Sequence, residues 1–229
     1  MSTRLLWRLL LGVIIIWTAG GCAADLGNGD SGSAAGSQGP AFSLMIGDAE
    51  RSGSSARQVG EAYMHGISLM ELLKSSGIVT FEGNEIKEVN RISLTGGFEW
   101  EIQLNGKKTS NWNAGISRDD SITIVALPDA YHKDARPVIL TVNGGSGQLE
   151  LTHSYVYPYT DDLTVRGLLK NSGIVAFDES GKTVAQVLDY SPLTTERWKL
   201  KLNGKGLLDS GIDMKLRPQD ELEIALVPR

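Results

Sequence analysis

The sequence predicts an α+β protein made of two tandem copies of one unit, each a short helix packed on a mixed four- or five-stranded sheet. Three observations carry that expectation. Blocks of residues recur in the same order about one hundred positions apart, strands of period-two patterning end in Asn-Gly turns, and each copy holds one short segment with helix-capping residues. The chain has 229 residues, 41% hydrophobic and 21% charged, which is enough apolar material for ordinary globular cores.

Residues 1–21 read as an address. Arg4 and Arg8 precede an apolar run from Leu9 to Trp17, and Ala19-Gly20-Gly21 supply small residues before Cys22. The run is too short for a spanning helix, which needs about 20 apolar residues. Cys22 is the only cysteine, so neither an internal disulfide nor a cysteine-built zinc site is available. The segment resembles the lipobox of bacterial lipoproteins, which implies that Cys22 is acylated, becomes the first residue and anchors the chain to a lipid bilayer on the extracytoplasmic face of the envelope. An ordinary secretory signal that happens to hold a cysteine is the alternative. Residues 22–41 are rich in Gly, Ser, Ala and Asp and read as a flexible tether.

The first unit is expected over 42–128 and the second over 137–229, with the polar stretch 129–136 as linker. Leu72–Phe81 matches Leu168–Phe177, Trp100–Lys107 matches Trp198–Lys205, and Asp120–Ile124 matches Asp220–Ile224, with Tyr63 paired to Tyr159. Each copy opens with a β-rich run, Phe42–Ile46 or Val138–Val142, followed by an extended arm. Ser68 with Glu71 three residues on forms a capping box for a helix whose apolar face is Leu69, Leu72 and Leu73, stopped at Gly77. Thr164, Val165, Leu168, Leu169 and Gly173 repeat the pattern, with Gly167 in place of Glu71. Strands follow at Glu85–Ser93 and Thr183–Tyr190. Trp100, Ile102 and Leu104 then alternate with polar residues, as do Trp198, Leu200 and Leu202, which places both tryptophans in the core. Asn105-Gly106 and Asn203-Gly204 predict tight turns into last strands carrying Ile122 and Ile124, or Leu222 and Ile224. A helix on such a sheet is β-grasp-like.

The order Thr/Ser-x-x-x-Leu-Leu, Trp-x-x-x-x-Asn-Gly-Lys and Asp-x-Ile, with Leu222 closing the last motif in the second copy, resembles the bacterial domain related to the C-terminal domain of transcobalamin. That domain belongs to the soluble-ligand-binding β-grasp group. The resemblance covers about 42–128 and 137–229 and implies a secreted or lipid-anchored binding domain, with a corrinoid as the ligand of the namesake.

The net charge of −5 argues against a nucleic-acid partner, which needs a basic face. His65, His132 and His153 stand at no shared repeat position and at no metal-ligand spacing, so the sequence predicts neither enzyme nor metal site. Asp119-Asp120 and Asp161-Asp162 lack the Asp-x-Asp-x-Asp-Gly pattern of a calcium loop, and the Gly-rich stretches at 96–97 and 144–147 read as turns. In the arm Leu149–Tyr159, alternation puts Leu149, Leu151, His153, Tyr155, Tyr157 and Tyr159 on one face. Tyr155 and Tyr157, absent from the first copy, are candidate ligand contacts, as are Trp112 and its neighbours Asn111 and Asn113; packing of each against its own sheet is the bland alternative. The expectation is therefore a membrane-anchored binding module for a glycan, a cell-wall fragment, a small cofactor or an envelope protein. The alternatives are an assembly lipoprotein acting by β-augmentation and an envelope hydrolase.

Overall fold

The first repeat, as placed by a computed structural model that describes residues 39–229, runs β1 (Ala41–Ile46), β2 (Ala49–Glu50), α1 (Ser55–Ala62), α2 (Leu69–Ser75), β3 (Val79–Glu82), β4 (Glu85–Val89), β5 (Ile92–Leu94), β6 (Phe98–Leu104), β7 (Lys107–Lys108) and β8 (Ser121–Pro128). The second runs β9 (Pro137–Asn143), a 3-10 turn (Leu149–Leu151), β10 (His153–Pro158), α3 (Val165–Ser172), β11 (Val175–Phe177), β12 (Val184–Val187), β13 (Glu196–Leu202), β14 (Lys205–Gly206), a 3-10 turn (Asp209–Asp213) and β15 (Glu221–Pro228). The signal segment, Cys22 and the tether through residue 38 lie outside the described residues.

The protein is mixed α/β, with three helices and large mixed sheets among the described residues. Local signals place its elements. Ser68 Oγ accepts from the Glu71 amide, and the Glu71 carboxylate accepts from the Ser68 hydroxyl at 2.7 Å and the Ser68 amide at 3.1 Å; the hydroxyl first and then the amide hold the Glu71 carboxyl below its usual range. Leu69, Leu72 and Leu73 of α2 are fully buried. In α3, Thr164 Oγ1 accepts from the Gly167 amide at 3.0 Å, and Gly173, at φ 71°, ends the helix in the left-handed region.

The two repeats share one strand order. β1 runs parallel to β8, β8 antiparallel to β6, and β6 antiparallel to β7; β9, β15, β13 and β14 repeat those pairings. Asn105 and Gly106 take φ 52° and 73°, and Asn203 and Gly204 take 50° and 76°, the double positive-φ turn that suits a twisted hairpin. Each asparagine then closes a second loop. Asn105 Nδ2 donates to Asp120 Oδ1 at 2.7 Å and its Oδ1 accepts from the Ser121 amide at 2.8 Å; Asn203 bonds Asp220 and the Glu221 amide at 2.8 and 2.9 Å. The Asp120 and Asp220 carbonyls accept from the Ala41 and Ile139 amides, so each clamp sets the start of the central parallel pair.

Three features depart from the sequence reading. The arm of the first copy folds as α1, because Ser55, Val59 and Gly60 share a face buried against β1. In the second copy the arm is a strand only from His153, since Leu149–Leu151 form a 3-10 turn that leaves Leu149 exposed. The second repeat's strands other than the β11–β12 pair, which stands apart as a two-stranded sheet, lie in an eight-stranded sheet, not one of four or five, because β10 pairs in parallel with β5 through Ser154–Ile92, Tyr155–Ser93 and Val156–Leu94, bringing β3, β4 and β5 of the first repeat with it. The first repeat's remaining strands form a sheet of five.

That joint divides the strands' faces between two cores. Val138, Leu140 and Val142 of β9 belong to the second core, whereas Ile139 and Val156 belong to the first, with Leu44, Leu72 and Ile124. The apolar run Pro137–Leu140 is buried at every position, as a strand covered on both faces requires. Ile139→Ala should therefore destabilise by about 2–5 kcal/mol, as buried Ile-to-Ala changes do. Denaturant unfolding should show one shifted transition, and a separate early transition for the second repeat alone would contradict the shared packing.

Candidate functional site

In each repeat the Asn-Gly turn returns a strand of only two residues, so β7 covers β6 at Gln103 and Leu104 and β14 covers β13 at Lys201 and Leu202. Beyond it the Thr109 and Leu207 amides donate to the Ile102 and Leu200 carbonyls, and the remaining edge has no partner strand and forms the wall of a groove. In the first repeat the groove lies between β6 and the β3–β4 hairpin, has a volume of about 510 Å³ and is floored by Ile86, Leu94, Phe98, Trp100 and Trp112. In the second it lies between β13 and β12. One stretch of about 300 Å³ runs toward Leu207 and Ile212, and another of about 670 Å³ runs toward Pro192 and Arg229; both are bounded by Thr183, Val184, Arg197 and Trp198.

Trp100 and Trp198 therefore do more than fill the core. Trp198 is buried and packs edge-to-face with Tyr190, Trp100 is half-buried, and each lines the groove of its repeat. Both indole Nε1 atoms are buried without a hydrogen-bond partner, a recurrence that marks them out because buried donors are normally satisfied.

The two grooves differ in charge at matched positions. Glu99 and Glu101 flank Trp100, and Arg197 and Lys199 flank Trp198. Glu101 accepts from Gln103 at 2.9 Å and pairs with Lys108 at 3.0 Å; these bonds, the first being the larger influence, hold its carboxyl below the usual range. Arg197, Lys199 and Lys182 are exposed and form no ion pair among the described residues. The second groove thus presents positive charge and hydrogen-bond donors over an apolar floor. Its signal was present in the sequence, in the exchange of acid for base between aligned repeats.

The other candidates occupy separate places. Trp112 packs edge-to-face on Phe81 with centroids 5.3 Å apart and lines the first groove. Asn111 and Asn113 are exposed, and Asn111 Oδ1 accepts from the Asn113 amide at 3.2 Å, which makes it a turn residue. Tyr155 and Tyr157 are half-buried against the second core, and burial raises both phenol pKa values. Neither tyrosine lines one of the two grooves. Asp162 pairs with Lys215, and among the described residues no group of three His, Cys, Asp or Glu side chains is placed to hold a metal. No histidine lines either groove.

One cluster invites comparison with a catalytic triad. His153 Nε2 lies 2.9 Å from Ser93 Oγ and 3.9 Å from Glu88 Oε2. Both neighbours address the same ring nitrogen, whereas a triad needs the carboxylate on the opposite one, so Glu88 does not orient this imidazole as a general base. The cluster ties β10 to β4 and β5.

No family model matches the chain, and no curated protein matches it. A crystal structure from Ruminococcus gnavus ATCC 29149 at 1.30 Å resolution, provisionally described as that of a metal-binding protein, is similar at 18% identity with a TM-score of 0.33, over 41% of this chain and 98% of that one.

Burial pushes the His153 imidazole below its usual range, against the upward pull of Glu88 and with a smaller lowering from Arg91. The unfolded chain then binds a proton that the folded chain refuses. This contribution to stability is complete above the unfolded value of about 6.5 and is lost as pH falls through the folded one. Unfolding midpoints should fall between about pH 7 and pH 5, and His153→Gln should flatten that part of the profile. An identical profile in the variant would remove His153 as the cause.

Proposed function

We propose that the protein is an extracytoplasmic binding module of two tandem β-grasp-like units, tethered to the cell envelope through acylated Cys22, that takes its ligand in the grooves beside the repeat-matched tryptophans. One observation carries this reading: the two repeats keep the same strand, the same open edge and the same unpartnered indole, and change the charges around them. Stability does not require that change, since exposed charges away from any partner contribute little to it. Selection for different ligands at one scaffold position accounts for it. The activity is binding without turnover.

A second reading, assembly by strand addition, draws on the open edge of β13. The first reading is tested by thermal unfolding of the full-length chain against acidic and neutral sugars, cell-wall fragments, peptides and divalent ions. Saturation at about 100 times Kd should stabilise by roughly 2.7 kcal/mol, a shift of a few degrees. A flat response across the panel would contradict it. Cys22→Ala tests the tether: the variant should lose incorporation of labelled fatty acid and its partition into membranes, and a normally acylated, membrane-bound variant would overturn the anchor.

A further inference from the structure

We propose that the groove of the second repeat receives an extended acidic peptide segment, laid as an added strand along the open edge of β13. The inference deepens the binding reading above and rests on it. β13 pairs with β15 on one side; on the other, β14 stops at Lys205–Gly206, the Glu196 amide donates to the Leu193 carbonyl, the Glu196 carbonyl accepts from Arg229 Nε, and the edge is free at Trp198 between these bonds and the one at Leu200. The Leu200 carbonyl accepts from the Leu207 amide at 2.9 Å, so its bonding groups face the groove. Strand alternation turns the backbone N–H and C=O of Trp198 to the same side. Across the groove β12 pairs only with β11. The cleft is thus bounded by two strand edges, the geometry that accepts a further strand.

Side-chain chemistry sets what that strand carries. Arg197 and Lys199 stand on one face at the roughly 7 Å repeat of alternate strand residues, and Lys182 lies across from them. An incoming strand with acids at alternate positions matches that spacing, and opposite charges directly across a sheet attract. Its intervening residues face Val184, Trp198 and Leu207, which are apolar. The lining carries three cationic side chains and no carboxylate. The first repeat supplies an internal comparison: Glu99 and Glu101 occupy the matching positions.

The probe is a seven-residue peptide alternating valine and glutamate, capped at both ends and titrated by fluorescence anisotropy into the full-length chain in neutral detergent micelles. Expected are saturable binding, at least a tenfold loss with glutamine in place of glutamate, and a similar loss in the double variant Arg197→Glu, Lys199→Glu. Both side chains are exposed and unpaired, so that variant should keep its unfolding midpoint. Salt weakening of binding in the unaltered chain gives a readout that needs no mutation. Hydrogen exchange should slow at the Trp198 amide when the peptide is bound. Equal binding of the glutamine peptide, or an unprotected Trp198 amide, overturns the proposal. If the peptide fails and an oligogalacturonate binds in an Arg197- and Lys199-dependent way, the groove is a saccharide site: the peptide inference falls and the binding reading stands. If both probes and the wider panel fail, both fall.

Discussion

The parallel pairing of β10 with β5 is the contact on which the rest of the architecture depends. Through it the opening hairpin of the second repeat becomes the middle of a continuous sheet, with Leu140 and Val142 turned to one core and Ile139 and Val156 to the other. A strand in that position has no solvent face, and a one-residue slip would exchange every side chain between the two cores. Polar ties hold the register from outside. Arg51 pairs with Glu221 at 2.6 Å, Gln219 donates to Asp48 at 2.5 Å, and Thr95 Oγ1 donates to the Val156 carbonyl at 2.7 Å. The duplicated units are therefore two hydrophobic cores sharing a wall, and cost to one is felt by the other.

What the sequence disclosed follows from how local each signal is. The capping box at Ser68, the cap at Thr164, both Asn-Gly turns and the alternation around each tryptophan are decided within a few residues, and the structure holds each as expected. The joint was hidden because it pairs strands that lie about 60 residues apart in different copies, and no short-range pattern encodes a parallel register. α1 was hidden for another reason: its buried face is Ser55, Val59 and Gly60, too small to leave an apolar stripe. Alternation marked the face of Tyr155 and Tyr157 without saying what lies against it, and the structure packs both, half-buried, on the second core. The grooves were partly legible. Their tryptophans stood out, but alternation alone does not separate a core residue from one that is both core and groove wall.

The duplication also separates what the fold needs from what it leaves free. The Asn105–Asp120 clamp and its Asn203–Asp220 counterpart agree to within a few tenths of an ångström in their bond lengths, and the leucines of α2 and α3 are buried alike. On the outward face of β6 and β13 the sign of charge is reversed with no change in strand pairing. Backbone clamps and buried leucines are constrained by packing, and the rim charges are constrained only by what meets them. A scaffold divided this way can alter its recognition chemistry without redesigning its core.

The shared wall has a consequence for the order in which the chain is made. Thr95 and Val156, whose bond closes the joint, are 61 residues apart. At synthesis rates of about 5–20 residues per second, β5 leaves the ribosome roughly 3–12 s before the strand that covers it. Through that interval the first core lacks Val156 and Ile139, and β5 presents an unsatisfied edge to any neighbouring nascent chain. The arrival of the second repeat completes the first core with Val156 and Ile139 and covers the β5 edge.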